Sequence, residues 1–87
     1  MKKEKKISKI FKALSHPDRL NIVIGLYHDK CSVSECQRRM ELPQSTISQH
    51  LKIIADAGIT ERDKIGTKVC YKIKNKLVIE IIKLLEK

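Results

Sequence analysis

The segment Gln44-Ser45-Thr46-Ile47-Ser48-Gln49-His50 brings amide, hydroxyl and imidazole groups together within seven positions. Such groups suit the edges of nucleic-acid bases. An amide bonds adenine through a donor and an acceptor at once, a hydroxyl reads a base or anchors a phosphate, and a threonine methyl touches a thymine methyl. The segment itself is nearly neutral, with Lys52 as the first cation after it. The cations suited to phosphates lie apart: Arg62, Lys64, Lys68, Lys72 and Lys74 lie around Gly66-Thr67, and six lysines fall in the first twelve residues. A neutral reading segment with basic flanks matches a division between contacts that specify and contacts that position. Three cysteines, Cys31, Cys36 and Cys70, are a second source of chemistry. His16, His28 and His50 are scattered singly, and none reads as a metal ligand.

These residues need a scaffold, and the apolar periodicity supplies one. Ile7, Ile10, Phe11 and Leu14 recur at helical spacing. Ser15-His16-Pro17-Asp18 reads as a break and restart, with Pro17 near the first helical position and Asp18 in the first turn. A second helix follows with Leu20, Val23, Ile24 and Tyr27 on one face. Val33, Cys36 and Met40 mark a short third helix behind the capping-box pattern Ser32-Val-Ser-Glu35. Ile47, Leu51 and Ile54 mark a fourth, closed at Ala57-Gly58. Two short helices joined by a tight turn are a helix-turn-helix pattern, here residues 33–57. From Ile59 the period changes to two, and strands on either side of Gly66-Thr67 predict a hairpin over residues 59–74. Residues 76–87 return to helical spacing. The expected order is α1-α2-α3-α4-β-β-α5, a mainly α fold with a small β-hairpin in one domain spanning 1–87, preceded by a basic segment at 1–6.

Length and charge exclude most other classes. A chain of 87 residues buries only about 60–65% of its unfolded surface, so its core is thin. With 19 Lys and Arg against 10 Asp and Glu the formal charge is +9, which points to a polyanionic partner. An apolar content of 41% at regular spacing is too high for a disordered basic tail. No apolar run reaches the roughly 18–20 residues that span a bilayer, and the basic start lacks a signal peptide's apolar stretch, so a cytoplasmic, membrane-free protein is expected. Its thiols should then be reduced. An enzyme is not expected: there is no glycine-rich phosphate loop and no metalloprotease spacing. The last helix holds seven aliphatic residues in the nine positions from Leu77 to Leu85, more than one face of a thin monomer can bury, so a partner subunit is expected to cover it.

Three blocks carry a family resemblance. Ala13-Leu-Ser-His-Pro-Asp-Arg-Leu-Asn-Ile22 resembles the opening of the ArsR–SmtB winged helix-turn-helix repressors. Leu42-Pro-Gln-Ser-Thr-Ile-Ser-Gln-His-Leu51 is similar to their recognition helix, and Gly66-Thr-Lys-Val-Cys-Tyr71 to their wing. The resemblance runs over roughly residues 7–86. It implies a homodimer built from the first and last helices, with Ile7, Ile10, Phe11, Leu77, Val78, Ile81, Ile82 and Leu85 at the interface. It implies binding to an imperfect palindrome in double-stranded DNA, with repression until an effector binds. The DNA contacts implied are Gln44, Ser45, Thr46, Ser48, Gln49, His50 and Lys52 on the reading helix and Arg62, Lys64, Thr67 and Lys68 on the wing. The alternatives are an RNA-binding or a protein-interaction winged helix without an effector. The first lacks the aromatic stacking surface of single-strand readers, and the intact polar run Gln44 to His50 argues against the second.

Members of that family often sense metals, but this chain departs from their ligand patterns. Residues 76–87 contain no His and no Asp, and Ser32 and Ser34 stand where an arsenic-sensing Cys-x-Cys would be. Cys36 shares the apolar stripe of Val33 and Met40, where a thiol packs as a small hydrophobe. Cys31 and Cys70 come together if Cys31-Ser-Val33 adds a strand beside Val69-Cys-Tyr71. Two such thiols could form a disulfide or bind a soft metal ion, a thiol sensor in which Cys36 could take part. They could equally be two unrelated small residues of a minor sheet.

Overall fold

The computed structural model describes residues 2–29 and 33–87, with the order α1 (Lys2–Leu14), α2 (Pro17–Asp29), α3 (Val33–Met40), α4 (Gln44–Asp56), β1 (Thr60–Ile65), β2 (Lys68–Ile73) and α5 (Lys76–Leu85). The element order read from periodicity is the order found. Helix α1 begins at Lys2, ahead of its apolar stripe, because lysine is a good helix former and Glu4 sits favourably in the positive first turn. Its end is closed twice. The Ser15 hydroxyl donates to the Lys12 carbonyl at 2.7 Å, and Arg19 Nε reaches back from α2 to the Ala13 carbonyl at 2.7 Å. Such bonds satisfy carbonyls that a helix end leaves without partners.

Helix α4 runs through the middle of the core. Ile47, Leu51 and Ile54 are fully buried, as are Ile22, Val23 and Leu26 of α2, and Cys36 of α3 joins the same cluster. Its C-terminus is a Schellman turn: Gly58 N–H donates to the Ala55 carbonyl at 2.9 Å and Ile59 N–H to the Ile54 carbonyl at 3.3 Å. Gly58 takes φ +80° there, a left-handed conformation that costs a side-chain-bearing residue about 1–2 kcal/mol. Beyond it β1 and β2 pair antiparallel from Thr60 opposite Ile73 to Ile65 opposite Lys68. Gly66 turns the corner at φ +63°. Among the described residues the sheet has these two strands alone. Of the third strand expected at Cys31-Ser-Val33, residues 31 and 32 lie outside the described residues, and Val33 is the first residue of α3.

Asn75 starts α5, its side chain accepting from Val78 N–H at 3.2 Å while its amide nitrogen lies 3.5 Å from the Gly58 carbonyl. One cap thus ties α5 to the end of α4. Val78 and Ile82 of α5, with Ile10 of α1, are buried within the protomer. These three, expected at a subunit interface, are used by the protomer's own core. Ile7 and Ile81 are half-buried. What stays outside is Phe11 at 53% exposure, Leu77 at 41%, Leu84 at 67% and Leu85 at 59%. Leu84, absent from the interface residues implied by the resemblance, is the most exposed of the set. No described helix is long and apolar enough to cross a membrane.

Candidate nucleic-acid interface

The buried positions of α4 follow a strict helical stripe, so the positions between them must face outward. Gln44, Ser45, Ser48, Gln49 and Lys52 are exposed, and Thr46 is half-buried. On the wing Arg62, Lys64, Thr67 and Lys68 are all exposed. The antiparallel register sets Arg62 opposite Tyr71 and Lys64 opposite Val69, with Asp63 opposite Cys70. Lys72 is partly neutralised by Glu61, Nζ to Oε1 3.5 Å.

The two halves meet. A groove of about 330 Å³ is lined by Gln44 and Ser48 of α4, Thr67, Lys68 and Val69 of the wing, and Ser34 and Gln37 of α3. The sequence reading did not include Ser34 and Gln37. Ser34 is polar and off the Val33, Cys36, Met40 stripe, whereas Gln37 takes the i+4 place of that stripe and is half-buried, so periodicity did not mark it as a surface residue.

The start of α4 is chemically open. Pro43 stands at its N-cap with φ −57° and ψ 146° and makes no side-chain cap bond, and no acidic side chain sits in the first turn. The Pro43 carbonyl accepts from Ile47 N–H at 3.1 Å, which places Gln44, Ser45 and Thr46 in the first turn, whose N–H groups lack intrahelical acceptors. A helix end of this kind favours anions.

His50 behaves differently from its neighbours. It was expected among the outward contacts, yet only 9% of it is exposed, because it occupies the i+3 place of the stripe Ile47, His50, Leu51, Ile54. Its ring lies 4.8 Å from that of His16, centroid to centroid, tilted at 54°. Its Nε2 is 4.0 Å from Asp18 Oδ2, and its Nδ1 is buried without a partner. Burial first, then His16 and Arg19 nearby, hold its pKa below the ordinary histidine value, against the opposing pull of Asp18. His16 in turn accepts Asp18 N–H on Nδ1 at 3.1 Å, a cap for the first turn of α2.

The remaining chemistry is dispersed. Cys36 is fully buried in α3 and Cys70 half-buried on β2. Helix α5 offers no metal-binding set: Glu80 pairs with Lys83 at 3.6 Å and Glu86 with His28 at 2.7 Å. The residues present do not fit the last-helix metal site that the family resemblance would imply.

A helix-turn-helix whose second helix shares a groove with a β-hairpin defines a winged helix-turn-helix protein. The family model for bacterial regulatory proteins of the arsR family matches residues 16–62. An uncharacterised HTH-type transcriptional regulator of Methanocaldococcus jannaschii is 42% identical over 99% of this chain and 98% of its own length. The transcriptional repressor PagR of Bacillus anthracis is 39% identical over 90% of this chain and 79% of its own. The PagR crystal structure superposes with a TM-score of 0.86, covering 95% of both chains. Reduced HlyU of Vibrio cholerae superposes at 0.88 with 33% identity, covering 97% of this chain and 88% of that one. The chain belongs to the arsR family of bacterial transcriptional regulators.

Proposed function

We propose that this protein is a homodimeric repressor that binds an imperfect palindrome in double-stranded DNA, α4 lying in the major groove and the wing beside it. The observation that carries the reading is the shared groove, in which Gln44 and Ser48 of α4 stand beside Thr67 and Lys68 of the wing. Base-reading amides and hydroxyls thus adjoin a phosphate-binding cation, as a duplex requires. Gln49, Ser45, Lys52, Arg62 and Lys64 extend the same surface, and the open first turn of α4 supplies backbone donors for a phosphate. His50 drops out as a direct contact and becomes a support beneath α4.

The exposed apolar side chains of α1 and α5 support the dimer, and a two-fold axis there would set the two α4 helices about one DNA turn, roughly 34 Å, apart. A cytoplasmic location fits a DNA-binding regulator. Release by an effector belongs to the same reading. Among the described residues Cys70 is the more accessible thiol, on the strand that carries Lys68 and Lys72, and the relative HlyU was solved in a reduced form. Cys31 would be its partner.

The test is fluorescence anisotropy of the protein on duplex from its own upstream region, with salt varied. A dimer neutralising several phosphates per subunit should lose about 10³–10⁵ in affinity between about 50 and 200 mM salt. Equal binding to random duplex and to RNA would overturn the specific-repressor reading. If the Cys70→Ser variant keeps the full wild-type response to oxidants and soft metals, the thiol part fails while the DNA part stands.

A further inference from the structure

Apart from the residues that line the groove, the fold brings His16 and Asp18, at the start of α2, together with His50 of α4. One ligand atom from each lies within 4.8 Å of the others. Two imidazoles and a carboxylate are the donor set of borderline divalent transition metals. We propose that these three side chains bind one such ion, of the Zn(II) or Co(II) class, with water in the remaining positions.

Three features favour an ion over a merely packed cluster. His50 is nine-tenths buried and its Nδ1 has no hydrogen-bond partner. Its Nε2 is turned toward Asp18 Oδ2 at 4.0 Å, and coordination there would give the buried ring one strong partner while Nδ1 keeps the ring proton. A metal binds the neutral imidazole, and burial lowers the His50 pKa in the direction of that form. Asp18 brings the one negative charge and, with its side chain 44% exposed, is free to swing inward.

The geometry needs a small contraction. Ligand atoms about 2.0–2.1 Å from a tetrahedral ion stand about 3.3 Å from one another, so the widest gap must close by roughly 1.5 Å. His50 is fixed by the core, and His16 and Asp18 do the moving. Coordination through Nε2 of His16 puts the ring proton on Nδ1, so the bond from Asp18 N–H is given up as the ion enters. An ion there would tie the first turn of α2 to the middle of α4.

The test is a Co(II) titration of the full chain carrying Cys31→Ser and Cys70→Ser, followed by visible ligand-field absorption and by competition with Zn(II). Binding of one Co(II) per chain is expected, without a thiolate charge-transfer band and displaced by Zn(II). Asp18→Asn and His16→Gln, at positions where the side chains are partly exposed, should each weaken it by more than the roughly 10–100-fold that loss of even an outer partner costs. Circular dichroism confirms that these variants fold. No uptake by the parent chain, uptake unchanged in both folded variants, or a thiolate band pointing to Cys36 would each overturn the proposal. None of these readouts involves DNA, so the site and the DNA reading fail separately.

Discussion

Truncating Leu84 to alanine should weaken the dimer by about two orders of magnitude while leaving the protomer fold intact. Leu84 is 67% exposed on the isolated protomer, so its removal opens no cavity in the core. Leu→Ala deletes three carbons, worth about 0.8 kcal/mol each when buried. With two-thirds of the side chain free to be covered on pairing, the loss is about 1.6 kcal/mol per protomer. A two-fold interface counts it twice, giving about 3 kcal/mol, or roughly 100- to 200-fold in the dimer Kd. Sedimentation equilibrium over a range of concentrations measures this directly. Ile65→Ala is the control, because Ile65 is 64% exposed but lies at the wing tip, and its dimer Kd should match wild type. An unchanged Kd for Leu84→Ala, or an equal loss for Ile65→Ala, would refute the assignment of the interface to α1 and α5.

Other consequences are as direct. Gln44→Ala should cost about 1–3 kcal/mol per half-site on the operator and relax its base preference, whereas Lys68→Ala should weaken all duplexes alike and lower the salt slope by about two, one for each subunit; paired anisotropy titrations on specific and random duplex separate them. Thr60 is buried with a hydroxyl that has no partner, so Thr60→Val should be neutral or stabilising by up to about 1–2 kcal/mol in urea unfolding. Glu41 holds φ +55° just after α3, so Glu41→Gly should raise stability by about 1 kcal/mol in the same assay.

The fold was largely legible where helices bury stripes of strict period, and α4 is the clearest case; in α2 the face expected at Leu20, Val23, Ile24 and Tyr27 is centred instead on Ile22, Val23 and Leu26, with Leu20, Ile24 and Tyr27 half-buried at its edges. Ile47, Leu51 and Ile54 announced the buried face, and that same arithmetic puts His50 on it. Carrying the whole motif from Gln44 to His50 onto the DNA face obscured a position that periodicity alone assigns inward. The start of α1 was hidden for the opposite reason: a run of lysines has helix propensity but no apolar rhythm. The subunit face was legible only as an excess of aliphatics. Which of them the protomer keeps, Ile10, Val78 and Ile82, depends on how α1 and α5 dock on the core, which helical spacing alone does not specify. The meeting of His16 with His50 could not be read at all, since it depends on the path of the chain through α2 and α3.

The contrast between the starts of α4 and α5 has a dynamic meaning. Asn75 finishes the first turn of α5 within the protein, whereas Pro43 leaves the first turn of α4 unfinished. Amide hydrogen exchange in the free protein should therefore be faster at Ser45 and Thr46 than at Val78, and a bound duplex should slow the former far more. The reading helix is completed by its ligand, so part of the stability of the complex is stability withheld from the free protein. Replacing Pro43 with a capping aspartate would return that stability to the free protein and set a negative charge where a phosphate should lie, a direct exchange of affinity for robustness.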